Sequence, residues 1–465
     1  MNSRSSSRAA LLMFVAAWSL PAQIRITPTR APSGEVTLNF KQGNFSAITG
    51  RPFSAVDSLE QTLHEGTHVL IKSDPVYRDA MGRTRTESRQ FLSETGTFFE
   101  YVEIVDPVDG LQYVLDSAHE IAYRIHVKVS VHASAAPQPC LAGKPMAGSL
   151  AGNIATLNEG LGSKIIDGLA VCGRRTTLTY PAGSAIFGND RPVSTVSEDW
   201  ASWEELGRLV STSHTQPGIG VMIGSLKNLR LEEPDPSLFR PPANYRIVDE
   251  SAEFTVPLET AKPSRQQPRS VTALTGMPYS AEQVLSMDEV LGDGTKLTHE
   301  SSLAKHFRDL AGRTRVDRGS MGVEIVDPVA GYSYRLDPVN EIAVRTPIEV
   351  KFGLAQAASA PPAGAGQPAR EWLGEQTVDG MTTYGIRHTT TFPAGSAGAD
   401  RPTKMVDERW RSPQLGIDMV SRISNPRASD FTMTVRNLTF AEPDAALFRI
   451  PDGYRVVDDP AFASR

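Results

Sequence analysis

Along most of this chain apolar and polar residues take turns. Tyr332, Tyr334 and Leu336 alternate with Ser333 and Arg335, and Ile121, Tyr123 and Ile125 alternate with Ala122 and Arg124. A period of two puts successive side chains on opposite faces of an extended segment, so these runs read as half-buried strands. Turn chemistry separates them: Glu65-Gly66, Ala80-Met81-Gly82 and Pro107-Val108-Asp109-Gly110, then Asp293-Gly294 and Ala311-Gly312. Short strands joined by tight turns predict an antiparallel meander, apolar on one face.

Two departures from the alternation are informative. Phe431, Met433 and Val435 share a face, and Leu438 and Phe440 resume it out of phase across Asn437; the same slip falls at Asn228, between Leu226 and Leu229. An extra residue in one strand restores the facing, so a β-bulge is expected at both places, bending the sheet. The stretch SEDWASWEELGRLV from Ser197 has a helical look, with Trp200, Trp203, Leu206 and Val210 roughly on one side. A related stretch, DERWRSPQLGIDMV, carries Pro413 inside it. An interior proline costs a helix about 3 kcal/mol, so both read as strand, turn, strand.

Those paired observations belong to a larger pattern, because the chain is one module written twice. VEIVDPV occurs at Val102 to Val108 and at Val323 to Val329; TYPAGSAIFGNDRP is answered by TFPAGSAGADRP, and EPDPSLFRPPANYRIVD by EPDAALFRIPDGYRVVD. Self-similarity over so long a period outranks local signals. Residues 49–250 form the first repeat and 275–459 the second; 23–48 is an N-terminal extension, 251–274 a Pro-rich polar linker and 460–465 a tail. Low-complexity inserts, SAAPQPCLAGKPMAGS and AQAASAPPAGAGQPAR, interrupt the two copies and read as surface loops. The fold class expected is mainly β: two tandem antiparallel, strongly curved, half-barrel-like sheets with few short helices.

The first 22 residues carry Arg4 and Arg8, the apolar run Ala9 to Leu20, then Pro21 and Ala22, the layout of a signal peptide. That run is too short to span a bilayer, so no transmembrane segment is expected. A serine-rich start without acids before Glu35 also fits an organellar transit peptide. Export predicts a periplasmic or secreted protein in which Cys140 and Cys172, the only cysteines, can pair. Such a bridge would add about 3.5 kcal/mol by loop entropy. The formal charge of −6, about −8 without the leader arginines, argues against a nucleic-acid partner.

One motif looks like chemistry. His64, Glu65 and His68 satisfy the HExxH pattern of zinc proteases, whose histidines hold the metal one helical turn apart while the glutamate activates water. Gly66-Thr67 is a poor helical centre, and the twin reads Gly292-Asp293-Gly294-Thr295-Lys296, a hairpin turn without ligands. A zinc metalloprotease is therefore the remote alternative, and no catalytic residue, metal or cofactor is assigned. Asp106 and Asp327 head DPV turns, where aspartate caps the backbone. Trp200 with Trp410, Phe239 with Phe448, and Tyr245 with Tyr454 read as packing. Arg83 and Arg85, matched by Arg313 and Arg315, put two guanidiniums on one face after a tight turn, either as cross-strand ion pairs or as a cationic rim for an acidic head group.

Each copy resembles a periplasmic outer-membrane lipoprotein carrier (LolA-like) domain. The resemblance rests on the RDAMGRTR and RDLAGRTR hairpins, the DPVDGLQYVLD and DPVAGYSYRLD strand pairs, and the closing PDPSLFRPPANYRIVD and PDAALFRIPDGYRVVD. It implies a half-open barrel whose concave apolar face, beneath short helices or loops, holds acyl chains. The family's lid helices have no counterpart here. The resemblance implies an exported, non-enzymatic protein binding a lipid or lipoprotein-like ligand; it places no family arginine on this chain, and Arg83, Arg85, Arg313 and Arg315 are candidates for the head group on guanidinium chemistry alone. The alternative is a structural or sensing protein acting through an envelope protein partner.

Overall fold

The computed structural model describes residues 25–30, 36–41, 45–63, 66–92, 97–136, 139–140, 142–258, 268–319, 322–338, 340–353, 369–425, 430–459 and 462. The expected signal peptide lies outside them, as do most of the second insert and of the tail. Strands dominate, and among the described residues no helix reaches seven residues. Nor is any helix there long and apolar enough to cross a membrane.

Each copy forms a sheet of 13 strands. In the first, the central strand Phe53–Thr62 leads one way into the meander His68–Arg78, Thr84–Leu92, Thr97–Asp106, Leu111–Asp116 and Ile121–His126. The other way it pairs with Gly220–Arg230, which leads back through Arg208–Gln216, Val193–Ser202 and Leu169–Tyr180 to Ile154–Ile166, edged by Met146–Leu150. The second sheet repeats this around Tyr279–Val290, which pairs with Lys296–Arg308 and Phe431–Thr439 and ends at Ala369–Val378. The first and last long strands of each repeat are thus zipped side by side, which closes the module in sequence.

The alternation holds in part: Ile121–His126 buries Ala122 as fully as Ile125, because the meander of the first copy is covered on both faces rather than one. Phe53–Thr62 buries every second residue through Phe53, Ala55 and Asp57, and Trp200 lies on a strand that turns at 203–207 into the next. The register slips beside Asn228 and Asn437, both with positive φ (54° and 56°). The expected curl into a half-barrel is not seen: both sheets are open. A bulge bends its own strand, whereas closure requires the edge strands to meet. Here the edges take other partners, Arg246–Glu250 and Arg455–Asp458 adding in parallel to one end of their sheets.

The linker is shorter than expected. Glu253–Leu258 pairs with Val36–Lys41, which pairs with Arg25–Arg30, so the extension and the start of the linker form one three-stranded sheet. Its Leu38, Phe40, Phe254 and Val256 pack on Val105, Val114 and Ile125 of the first large sheet. Arg269–Ala273, also inside the expected linker, opens the second module by pairing in parallel with Ile342–Phe352, as Phe45–Thr49 does with Val129–Ala133 in the first. These pairings join segments remote in sequence, so local composition does not announce them.

Candidate functional site

The four arginines come together in pairs, but against their own chain. Arg83 Nε donates to Asp79 Oδ2 at 2.5 Å, and the Arg83 amide donates to Asp79 Oδ1 at 2.8 Å; Arg313 and Asp309 repeat both contacts at the same distances. Each guanidinium lies over a ring of the closing segment, Phe239 at 5.6 Å and Phe448 at 5.4 Å. Arg85 donates to the Leu238 carbonyl (3.1 Å) and to Glu87 (2.8 Å); Arg315 donates to Leu447 (3.1 Å) and Asp317 (2.8 Å). Together they clasp a single 3-10 turn, Pro236–Phe239 or Ala445–Phe448, capped by Asp235 or Asp444. In both copies this segment covers the outer face, sealing Ile104, Leu115 and Ala122, or Ile325, Leu336 and Ala343.

A further twinned arginine is held without a carboxylate. Arg78 donates to the carbonyls of Arg51, Glu205 and Leu206, and Arg308 to those of Met277, Gln414 and Leu415. They are only 4% and 2% exposed, each 4.9 Å over an aromatic ring, Phe53 or Tyr279. Burial, with Arg208 and Arg51 nearby, pushes the pKa of Arg78 down to about 9, which leaves it charged at neutral pH.

The inner face of the first sheet holds a cluster of charged groups that its alternation hides. Asp57 and Asp74 face each other across paired strands, 1% and 6% exposed. Lys72 Nζ bridges them at 3.2 and 3.6 Å, Arg208 reaches Asp57 at 3.4 Å, and Ser88 donates to Asp74 at 2.8 Å. Burial raises the pKa of Asp74 against the pull of Lys72, and burial lowers that of Arg208 against Asp57. Beside them, Gln112 donates to Glu103 at 2.6 Å. A cavity of about 70 Å³ lies between Ser46 and this face, lined by Thr84, Thr86, Glu103 and Arg208 among others. That is room for about two waters.

No protein family matches this chain, and no curated protein is similar to it. Among solved structures it is similar to an uncharacterized conserved protein from Thermus thermophilus. The identity is 12%, over 39% of this chain and 90% of that one, with a TM-score of 0.22. A likeness at that score supports no inference about fold or activity.

The remaining sequence candidates resolve locally. His64 and Glu65 lie outside the described residues. His68 stands on a strand with Nδ1 3.1 Å from Thr62 Oγ1, and no group of three or more metal-ligating side chains occurs among the described residues. Asp106 and Asp327 cap their turns through backbone amides at 2.8 to 3.1 Å. Trp200 and Trp410 lie flat over Gly173 and Gly385, where a Cβ would meet the ring at 2.5 or 2.7 Å. Cys140 and Cys172 are joined, with Cα atoms 5.3 Å apart, and tie the first insert to its sheet. At the twin of Cys172, Tyr384 stacks on Trp372 with centroids 5.8 Å apart.

Sequence reading missed Asp57, Lys72, Asp74 and Arg208. A signal was available: Asp57 follows Phe53 and Ala55 at the period of two, a carboxylate written on the apolar face. The twin positions read Gln283, Ser302, Ala304 and Ile417, so the charged cluster belongs to the first copy alone.

Proposed function

We propose that this is an exported, non-enzymatic envelope protein that works through protein-protein contacts, with a first module whose interior is filled by its own side chains. The observation that carries this reading is the inner face of the first module. Where a carrier would need an apolar hollow, this face is covered by the three-stranded sheet and studded with buried, paired charges, and its cavity measures about 70 Å³. Ligand pockets run to roughly 300 to 1,000 Å³, and an acyl chain at about 0.8 kcal/mol per buried methylene needs a long apolar trough to be held. The head-group arginines point the same way, since all four are engaged by the closing segments.

On this reading surface contact takes the place of the carriage that the resemblance implies. Native mass spectrometry of residues Gln23 to Arg465, taken from an envelope fraction without detergent stripping, tests the reading. Expected is the bare polypeptide mass or a complex with another protein. Adducts of lipid mass would overturn it in favour of carriage, and a stoichiometric zinc adduct would restore the hydrolase.

A further inference from the structure

The loops PAGSAIFGNDRP and PAGSAGADRP, written in both copies, meet hairpins of the opposite copy. The Asp190 amide donates to the Lys296 carbonyl at 3.0 Å, and its Oδ1 accepts from the Lys296 amide at 2.8 Å. Asp400 does the same to His68, at 2.8 and 2.9 Å. Next along each loop, Asn189 bridges to Leu297 and Ala399 to Val69. One position earlier the approach is closer still: a Cβ on Gly188 would fall 1.5 Å from the Thr298 carbonyl oxygen, and one on Gly398 would fall 2.1 Å from that of Leu70. Both glycines have positive φ (58° and 84°). Each contact closes a small apolar cluster, Tyr180, Val193 and Leu297 in one, Leu63, Val69 and Ala399 in the other.

Both hairpins have the same build. The Leu63 amide bonds the Thr67 carbonyl at 2.9 Å and that of Leu291 bonds Thr295 at 2.8 Å; Gly66 and Gly294 turn the chain at φ 78° and 81°, and Thr67 and Thr295 are buried. The second histidine of the HExxH pattern is therefore a docking position, used through its backbone, and its twin is Lys296. Every module carries one plug, the aspartate loop, and one socket, the hairpin, and the first plug fills the second socket while the second plug fills the first. Such reciprocity is that of an isologous two-fold interface.

We propose that plug and socket are a self-recognition surface that fits a second copy of this chain. Two chains pair by exchanging them, the plug of each entering the socket of the other. The bonds are main-chain and aspartate contacts that are the same whichever chain supplies the plug. The internal arrangement is favoured by effective concentration alone. Exchange requires both plug-socket contacts of each chain to open, and it is independent of what the outer surface binds.

The test uses the full-length chain in two differently tagged forms, one carrying Val69→Cys and the other Ala399→Cys, partners in the plug-socket bridge. They are partially unfolded together, returned to native conditions at high protein concentration, and oxidised. Expected is a disulfide-linked heterodimer severalfold in excess of either homodimer, lost when Gly188→Val and Gly398→Val are added to both forms. Monomer alone, or heterodimer and homodimers in random proportion, would overturn the proposal. Should either cysteine variant fail to fold, Asn189→Cys with Leu297→Cys asks the same question at the other contact, with the same outcomes deciding it.

Discussion

The two copies share a frame and differ in what fills it. Both have the buried arginine on backbone carbonyls, the Asp-Arg clamp on the closing turn, the tryptophan over glycine, and the bulge at asparagine. Among the described residues only the first has a covering three-stranded sheet, and its sequence answers that cover. Val114 and Ile125 are 0% and 1% exposed beneath it, whereas their twins, Arg335 and Thr346, are exposed and half-buried. Only the first has the disulfide, and the second sets an aromatic stack at the matching position. Positions kept in both copies therefore report what the module needs in order to fold, and positions that differ report where one copy has taken on a separate role.

The sharpest way to break this comparison is at the shared frame. Arg78→Ala and Arg308→Ala each strand three buried carbonyls and leave a hole over a ring, and each is expected to cost about 4 kcal/mol. Urea unfolding of the two variants should give similar losses, and a large inequality would show that the twins are not equivalent. Phe40→Ala, which removes a fully buried ring stacked on Phe254 at 4.6 Å, is expected to cost about 3 kcal/mol. Hydrogen exchange should then rise in Val36–Lys41 and Glu253–Leu258 and leave the second module unchanged.

The staples come next. Cys140→Ser with Cys172→Ser should lower stability by about 3 kcal/mol, and Trp372→Ala at the second module's stack by about 1 kcal/mol. Equal losses in thermal unfolding would deny that the two staples differ in kind. Smallest is the pH effect of Asp74. Its folded pKa is raised above the ordinary 3.8, so its contribution is present below that value and is lost as pH climbs through the raised one. Stability of the first module should fall over that interval, and Asp74→Asn should flatten the fall. The second module, with Ala304 at the twin position, should show none of it.

What could be read from residues alone was local. Alternation located strands such as Phe53–Thr62, asparagine at a phase slip marked the bulges, and Pro413 in one copy ruled out a helix in the other. Arg83 and Arg85 were placed on one face as expected, but what met them was a turn about 150 residues further on. The covering sheet escaped notice because Val36–Lys41 and Glu253–Leu258 pair across more than 200 residues. The plug and socket escaped for another reason: apart from one aspartate oxygen at each contact, their bonds run through main-chain groups that every residue owns. Only the recurring Asp190 and Asp400, with glycine two places before each, hinted at them.

The cover also sets a clock. A chain emerges from its N-terminus, and domains form as their residues appear. Val105, Val114 and Ile125 are made long before Phe254 and Val256, which complete their shelter together with Leu38 and Phe40. For more than 100 residues of synthesis that apolar patch stands without its last strand. A ribosome that stalls before residue 258 leaves a nearly whole first module with a sticky face, and this is the stage at which a holding chaperone has work to do.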